Sequence, residues 1–475
     1  MSFKTRLLST HGYNDPSSID QAAAVPDLSL FNKYDCRRYP FLLSSTAVRQ
    51  NNTQFDILIA YPQYTLMLNA DKTLTCSDSQ IPLSSTFLDT LELLYQKDKT
   101  QCSATSDDLP FTGGWFVYLS YELAEEIEPC LSLPISQTGQ PVAVAARCPA
   151  AIIYDRNKDQ CIAVAETAYS YMLDKLERDY LLVSKETDDL SVKPDHKIEL
   201  ISLKEDDAGP YLKQVEQIKK YIVDGDIFQA NLSRQWLATL RREVTDSELF
   251  CALSKQNPSS FAALACLQDM SIISSSPERL VSLKNGIVET RPIAGTRRRD
   301  NDPHSDDVLA RELMAHPKEQ AEHIMLIDLE RNDLGRVCRP GTIEVNELMT
   351  LETWEHVHHI VSNIRGEVQT DISPIDVLRA VFPGGTITGC PKVRCIEILA
   401  EMEQQARGAY TGSLGYINTD GSMDFNILIR TMVRIKNEIT FRAGGGIVSD
   451  SIAEIELEET RTKAKGLLNI FEKDD

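Results

Sequence analysis

The run Ala443-Gly444-Gly445-Gly446-Ile447-Val448 constrains this chain more than any other segment. Three successive glycines carry no Cβ, so backbone N–H groups there can reach an anion that side chains would hold away. A helix expected close behind them would add its partial positive charge, and Ser451-Ile-Ala-Glu454 reads as a capping box at its start. Along that helix the i, i+3 and i+7 spacing puts Glu456, Glu459 and Lys463 on one face. Two carboxylates and an ammonium could then meet one ligand, and a small polyanion bridged by a metal suits such a site. A flexible hairpin followed by a solvated helix satisfies the same pattern.

The chain has 475 residues, enough to bury a large core in about three domains or one elaborate one. Its net charge of −21 argues against nucleic acid or an anionic membrane as a partner, because both would be repelled. An anionic substrate then needs local cations to reverse the field. No apolar run approaches the ~20 residues of a membrane helix. Met1-Ser-Phe-Lys-Thr-Arg6 lacks the apolar stretch of a secretory signal, so a cytoplasmic location is expected. The 11 cysteines are scattered and free of CxxC spacing, which fits reduced thiols. No Gly-x-Ser-x-Gly or Gly-x-Cys-x-Gly elbow occurs, so a self-contained serine or cysteine hydrolase is unsupported.

Residues 1–200 alternate short β-rich runs with polar turns, among them Phe55-Asp-Ile-Leu-Ile-Ala-Tyr61, Gly114-Trp-Phe-Val-Tyr-Leu119 and Ala151-Ile-Ile-Tyr154. The stretch from Ser184 to Pro210 is rich in Lys, Asp and Glu and reads as an exposed crossing. Beyond it, Tyr211 to Val223 has helical apolar spacing, Gly225-Asp226 ends that helix, and Ile227–Ser233 reads as a strand. The expectation is an α+β protein with an N-terminal subdomain over 1–200 and a catalytic domain over 201–475.

Pro317 to Glu330 reads as a helix entered through proline, with Glu319 and Glu322 one turn apart on a shared face. Glu322 from this helix and Glu459 from the last one could hold a hard divalent cation such as Mg2+, which favours oxygen ligands. Solvated glutamate faces are the plainer reading. Phe382-Pro-Gly-Gly-Thr-Ile-Thr-Gly-Cys-Pro-Lys-Val-Arg394 gathers two glycines, the hydroxyls of Thr386 and Thr388, and Lys392 before a helix, a fitting cradle for a carboxylate. Arg430 ends Leu428-Ile-Arg430 and offers a planar fork for a second carboxylate. His358 and His359 alternate across a strand, so one should face inward, as a catalyst or as a satisfied core histidine.

At these motifs the chain resembles the chorismate-utilising enzymes. The matching elements are Gln229 within Gly225–Ser233, Ser276-Pro-Glu-Arg279, Arg291-Pro-Ile-Ala-Gly-Thr296, and Glu322 before Asp328-Leu-Glu-Arg-Asn-Asp-Leu-Gly-Arg336. They continue with His358-His-Ile-Val-Ser362, the Pro383–Arg394 loop, Arg430-Thr431, Ala443–Val448, and Glu459-Thr460 with Lys463. They follow in the family's order from about residue 205 to 470.

The resemblance implies an anthranilate-synthase-like fold: two layered antiparallel β-sheets flanked by helices, with the active-site cleft between subdomains. It implies a Mg2+-dependent reaction on chorismate, with Glu322 and Glu459 as metal ligands and Glu319 and Glu456 nearby through water. Arg430, the Gly444–Gly446 backbone and Lys463 then hold the enolpyruvyl carboxylate, with Thr296, Thr386 and Lys392 lining the substrate. Glu278 and His359 handle protons at the departing hydroxyl, and Gln229, Thr388 and Lys463 are counted with them as catalytic.

Relatives that add water carry a lysine base where this chain has Gln229, so the resemblance points to the aminating branch. Those enzymes take ammonia from a separate glutamine amidotransferase subunit. Within that branch the expected product is 4-amino-4-deoxychorismate, on the route to 4-aminobenzoate and folate, with anthranilate as the alternative. A catalytically dead relative is the third reading. Ala294, where many 4-aminating enzymes carry a lysine that attacks the ring, leans toward anthranilate. Leu42-Leu43-Ser44-Ser45, which lacks the glutamate of the tryptophan-binding Leu-Leu-Glu-Ser element, and Asn257-Pro-Ser-Ser-Phe-Ala262 lean away from it.

Overall fold

The structure, a computed structural model, describes residues 2–9, 27–46, 55–100, 109–185, 197–300, 302–353 and 357–472. Two large sheets dominate, and each draws strands from both halves of the chain. The first, of 12 strands, has an outer part made of Phe3–Leu8, Gln160–Glu166, Ala150–Asp155, Phe55–Ala60 and Phe41–Ser44. It continues through Phe261–Leu267, Met270–Ser276, Thr431–Ile435, Glu438–Ile447, Gln229–Leu240 and Leu200–Glu205, with Gly389–Cys390 beside the start of Gln229–Leu240. The second, of 11 strands, runs Ile293–Arg298, Val357–Glu367, Ile287–Thr290, Arg279–Lys284, Met423–Asn426, Ser413–Asn418, Gly114–Leu119, Ala143–Cys148, Tyr64–Leu68 and Leu74–Cys76, with Glu344–Thr353 beside Val357–Glu367.

The sheets pack face to face through one apolar layer, where the Phe41 ring lies 3.8 Å from Phe116 across the interface. Helices cover the outer faces. Met172–Lys185, Asp246–Gln256 and Ala453–Leu468 pack on the first sheet, while Phe87–Asp98 and Pro374–Val381 pack on the second. Central strands are therefore buried on both sides, which explains why Gly114–Leu119 reads as a continuous apolar run rather than an alternating one. No helix among the described residues is long and apolar enough to cross a membrane.

Two local expectations change. Residues 186–196 of the expected crossing lie outside the described residues, but Leu200–Glu205 is a strand antiparallel to Gln229–Leu240, and Ala208–Val223 is already helix. The capping box at Ser451 does not form. The helix begins at Ala453 without a side-chain cap, because the Ser451 hydroxyl accepts from Val448 N–H and donates to Glu456 Oε1. Capping boxes do form at Thr245 and Ser373, where the hydroxyl accepts from the N–H three residues on and the carboxylate there accepts from the cap N–H.

Candidate active site

One wall of the site is built on the pairing of Gln229–Leu240 with Glu438–Ile447, which sets Gly446 opposite Asn231, Gly445 opposite Leu232 and Gly444 opposite Ser233. The glycines thus lie in a strand rather than in an anion-binding turn at a helix start, and none has a positive φ. Their role is space. A Cβ on Gly446 would stand 2.3 Å from Gln229 Nε2, and one on Gly444 would stand 2.4 Å from the Leu232 carbonyl. At Gly445 the nearest atoms are the Glu459 and Glu456 carboxylates, 3.3 and 3.5 Å from the Cβ position. The neighbouring strand Thr431–Ile435 pairs only with residues 438–441. It ends where Arg430 turns away with φ 51, so the glycine stretch has an open edge.

Around that edge stand Gln229, Glu322, Glu456, Glu459 and Lys463. Gln229 is buried; its Nε2 donates to Glu322 Oε1 at 3.1 Å, and its Oε1 has no hydrogen-bond partner among the described residues. Lys463 Nζ donates to the Gly444 carbonyl at 2.9 Å and pairs with Glu459 at 2.8 Å. Withdrawal from bulk water pulls the Lys463 pKa down, and the Glu459 carboxylate more than offsets it, leaving the ammonium more firmly protonated.

The opposite wall carries the residues expected to handle protons. Glu278 follows the Met270–Ser276 strand, and Thr386 Oγ1 donates to its Oε1 at 2.9 Å. Burial pushes Glu278 up to about 7, against the opposing pull of the Thr386 hydroxyl, the Ile293 N–H, Arg430 and Lys463. His359 lies 2.9 Å from Thr296 Oγ1 through Nδ1, and burial, with the Arg430 charge, holds it down at about 4. Near neutral pH the carboxyl can therefore keep its proton while the imidazole lacks one. The Arg430 guanidinium makes no hydrogen bond or ion pair among the described residues, and burial lowers its pKa despite Glu278. Because Arg430 and Lys463 both act on Glu278, and Glu322 acts on Lys463, the two walls form one electrostatic unit.

Other expected site residues stand apart. Thr388 is buried and donates to the Gly384 and Gly385 carbonyls, bracing its own loop. Lys392 is spent on a 2.6 Å pair with Asp333 and on the Val381 carbonyl, so it does not join the carboxylate cradle. Glu319 lies beside Gly295 and 3.4 Å from Arg297, on the His359 side. Both histidines of the pair are buried, and His358 binds Asp306 at 2.9 Å.

Among the described residues no three His, Cys, Asp or Glu side chains stand close enough to hold one ion in common. Glu322 is engaged by Gln229, Glu459 by Lys463 and Glu456 by Ser451. The donor set nonetheless suits a hard divalent cation, being carboxylate oxygen throughout, and the missing Cβ of Gly445 leaves room between Glu456 and Glu459.

Sequence reasoning missed the charged layer beneath this wall. Glu403 accepts from the Ser233 N–H and hydroxyl, pairs with Arg407 at 2.7 Å and with Arg442 at 3.2 Å, and is buried with both. The i, i+4 spacing of Glu403 and Arg407 was the available signal, but it matches a surface pair equally well. A cavity of about 240 Å3 lined by Leu68, Phe87, Glu122, Leu133 and Gly408 contains none of the expected site residues.

Residues 40–469 match the profile of the chorismate binding enzymes. The chain belongs to that family. This chorismate-utilising enzyme is 41% identical over 370 residues to an anthranilate synthase component I-like protein of a Synechocystis species, covering 77% of this chain and 74% of that one. It is 38% identical over 392 residues to aminodeoxychorismate synthase component 1 of Bacillus subtilis, covering 81% and 82%. The crystal structure of anthranilate synthase component I from Streptococcus pneumoniae superposes with a TM-score of 0.76 at 30% identity, over 88% of this chain and 93% of that one. The family fold of two antiparallel sheets with flanking helices is the one expected.

Proposed function

We propose that this enzyme is the component I of an aminodeoxychorismate synthase, replacing the C4 hydroxyl of chorismate with an amino group in the cytoplasm. Gln229 carries the amination reading. Its amide donates to Glu322, and the ammonium nearest the same edge, Lys463, is held by Gly444 and Glu459, so no free amine base is at hand to activate water. Ammonia brings its own lone pair and needs none. Arg430, whose guanidinium makes no hydrogen bond or ion pair among the described residues, and Lys463 at the glycine strand would receive the enolpyruvyl carboxylate. Glu278, held protonated by burial, would give its proton to the C4 hydroxyl as the C–O bond breaks, releasing water. The ammonia lone pair forms the C–N bond, and the proton that the new ammonium loses restores Glu278. Glu322 and Glu459, with Glu456 behind them, would hold Mg2+, which supplies positive charge for the ring carboxylate. The ammonia would come from a glutamine amidotransferase subunit.

Ala294 favours a second reading, anthranilate synthase, because it lacks the amine of the attacking lysine. Ser44 opposes that reading: its hydroxyl donates to Asp56 at 2.6 Å, and Asp56 is itself paired with Arg156 at 2.7 Å, so no free carboxylate awaits an amino-acid effector. Product analysis from chorismate and ammonium, with and without an added aminodeoxychorismate lyase, tests the choice. A 4-amino product converted by the lyase to 4-aminobenzoate is expected; anthranilate formed without it overturns the assignment.

A further inference from the structure

Three consecutive buried serines, Ser274, Ser275 and Ser276, face the segment that carries Arg430. Ser274 Oγ meets Thr431 Oγ1 at 2.8 Å, and Thr431 Oγ1 donates onward to the Ile429 carbonyl at 2.9 Å. Ser276 Oγ donates to the Ile427 carbonyl. Between them the Arg430 carbonyl accepts twice from Ser275, from its N–H at 3.1 Å and from its hydroxyl at 3.2 Å. Asn257 Nδ2 donates to the same hydroxyl at 2.6 Å, which leaves the Ser275 hydrogen aimed at Arg430. Arg430 needs such a restraint. Its φ of 51 is a left-handed conformation that a branched or long L-residue holds only when its surroundings impose it. Asn257 in turn packs 3.4 Å from the Cβ position of Gly466, on the helix that supplies Glu456, Glu459 and Lys463.

We propose that Ser275, oriented by Asn257, is a positioning residue that fixes the Arg430 backbone so that its guanidinium meets the substrate carboxylate. The inference rests on the assignment of Arg430 to chorismate binding. Without the hydroxyl bond the Arg430 carbonyl keeps only the Ser275 N–H, and its left-handed backbone can shift enough to misplace the guanidinium. Binding is weakened while the Thr386–Glu278 hydrogen bond stays in place, and losing the Arg430 charge only holds the Glu278 proton more firmly, so the effect falls on KM rather than on kcat.

The test is a double-mutant cycle in the full-length chain with ammonium as nitrogen donor. Ser275→Ala and the half-buried Asn257→Ala are each made in the wild type and in Arg430→Ala, and KM for chorismate and kcat are measured. In the wild-type background each variant should raise KM roughly fivefold, the scale of one lost hydrogen bond, with kcat within about twofold. In Arg430→Ala the same changes should leave KM unmoved. A KM rise of equal size in both backgrounds, or a fall in kcat alone, overturns the positioning role while leaving Arg430 as a substrate ligand. If Arg430→Ala itself leaves KM unchanged, both the ligand assignment and the clamp fail. Should Ser275→Ala not fold, Asn257→Ala carries the same comparison.

Discussion

Gln229 donates its amide hydrogen to Glu322 Oε1 at 3.1 Å, so the residue on which the amination proposal rests and a proposed metal ligand share one hydrogen bond. Gln229→Lys would set an ammonium against that carboxylate and supply an amine that can serve as base. We expect the amino product to fall at least tenfold and isochorismate to appear, both read from chromatographic product analysis. Isochorismate as the main product of the unmodified enzyme would contradict the amination reading.

Glu322→Gln and Glu459→Gln each remove a charge proposed to hold Mg2+. Turnover should drop by about two orders of magnitude or more, and calorimetric Mg2+ binding should weaken, while circular dichroism stays unchanged. Full activity in EDTA would remove the metal from the reaction.

Glu278 titrates at about 7 instead of the ordinary 4.5. As the proton donor it should make kcat, measured at constant free ammonia, decline tenfold per pH unit above about 7. Stability carries the same signature. Between pH 4.5 and 7 the unfolded chain ionises this carboxyl and the folded chain does not, so stability is lost as pH rises, by about 3 kcal/mol at most. Glu278→Gln should therefore be nearly inactive yet gain thermal stability over the wild type at pH 8 but not at pH 4. An equal melting difference at both pH values would refute the raised titration.

The Glu403 carboxylate answers two buried guanidiniums, Arg407 and Arg442, and two groups of Ser233. Glu403→Ala leaves those cations uncompensated and should cost about 3–5 kcal/mol in urea denaturation. A loss below about 1 kcal/mol would mean that water reaches the cluster.

With Ser44 and Asp56 already bonded to each other, an incoming α-ammonium meets no free carboxylate at the Leu42–Ser45 segment. Tryptophan at millimolar concentration, about −4 kcal/mol of binding at best, should change the rate little. Competitive inhibition at micromolar tryptophan would instead mark an anthranilate synthase.

Much of this was legible from local pattern. Strands buried on both faces, such as Gly114–Leu119, announce themselves as apolar runs, and the glutamates at 319, 322, 456 and 459 fall at helical spacing on helices that form. What could not be read depends on distant partners. Thr386 and Thr388 are equivalent in the sequence, yet the turn aims one at Glu278 and the other at its own backbone. Lys392 looks free until Asp333 is seen beside it. The three glycines read as an anion nest until the register with Asn231, Leu232 and Ser233 shows a strand whose missing side chains make room for Gln229 and the glutamates.

The order of strands also bears on how such a chain is born. In the first sheet Thr431–Ile435 and Glu438–Ile447 link Met270–Ser276 to Gln229–Leu240; in the second, Ser413–Asn418 and Met423–Asn426 join Gly114–Leu119 to Arg279–Lys284. The keystone of both layers is therefore synthesised after every strand that it joins. Until it arrives, the emerging polypeptide carries four half-built sheet fragments with open edges, the kind of surface that holdase chaperones cover.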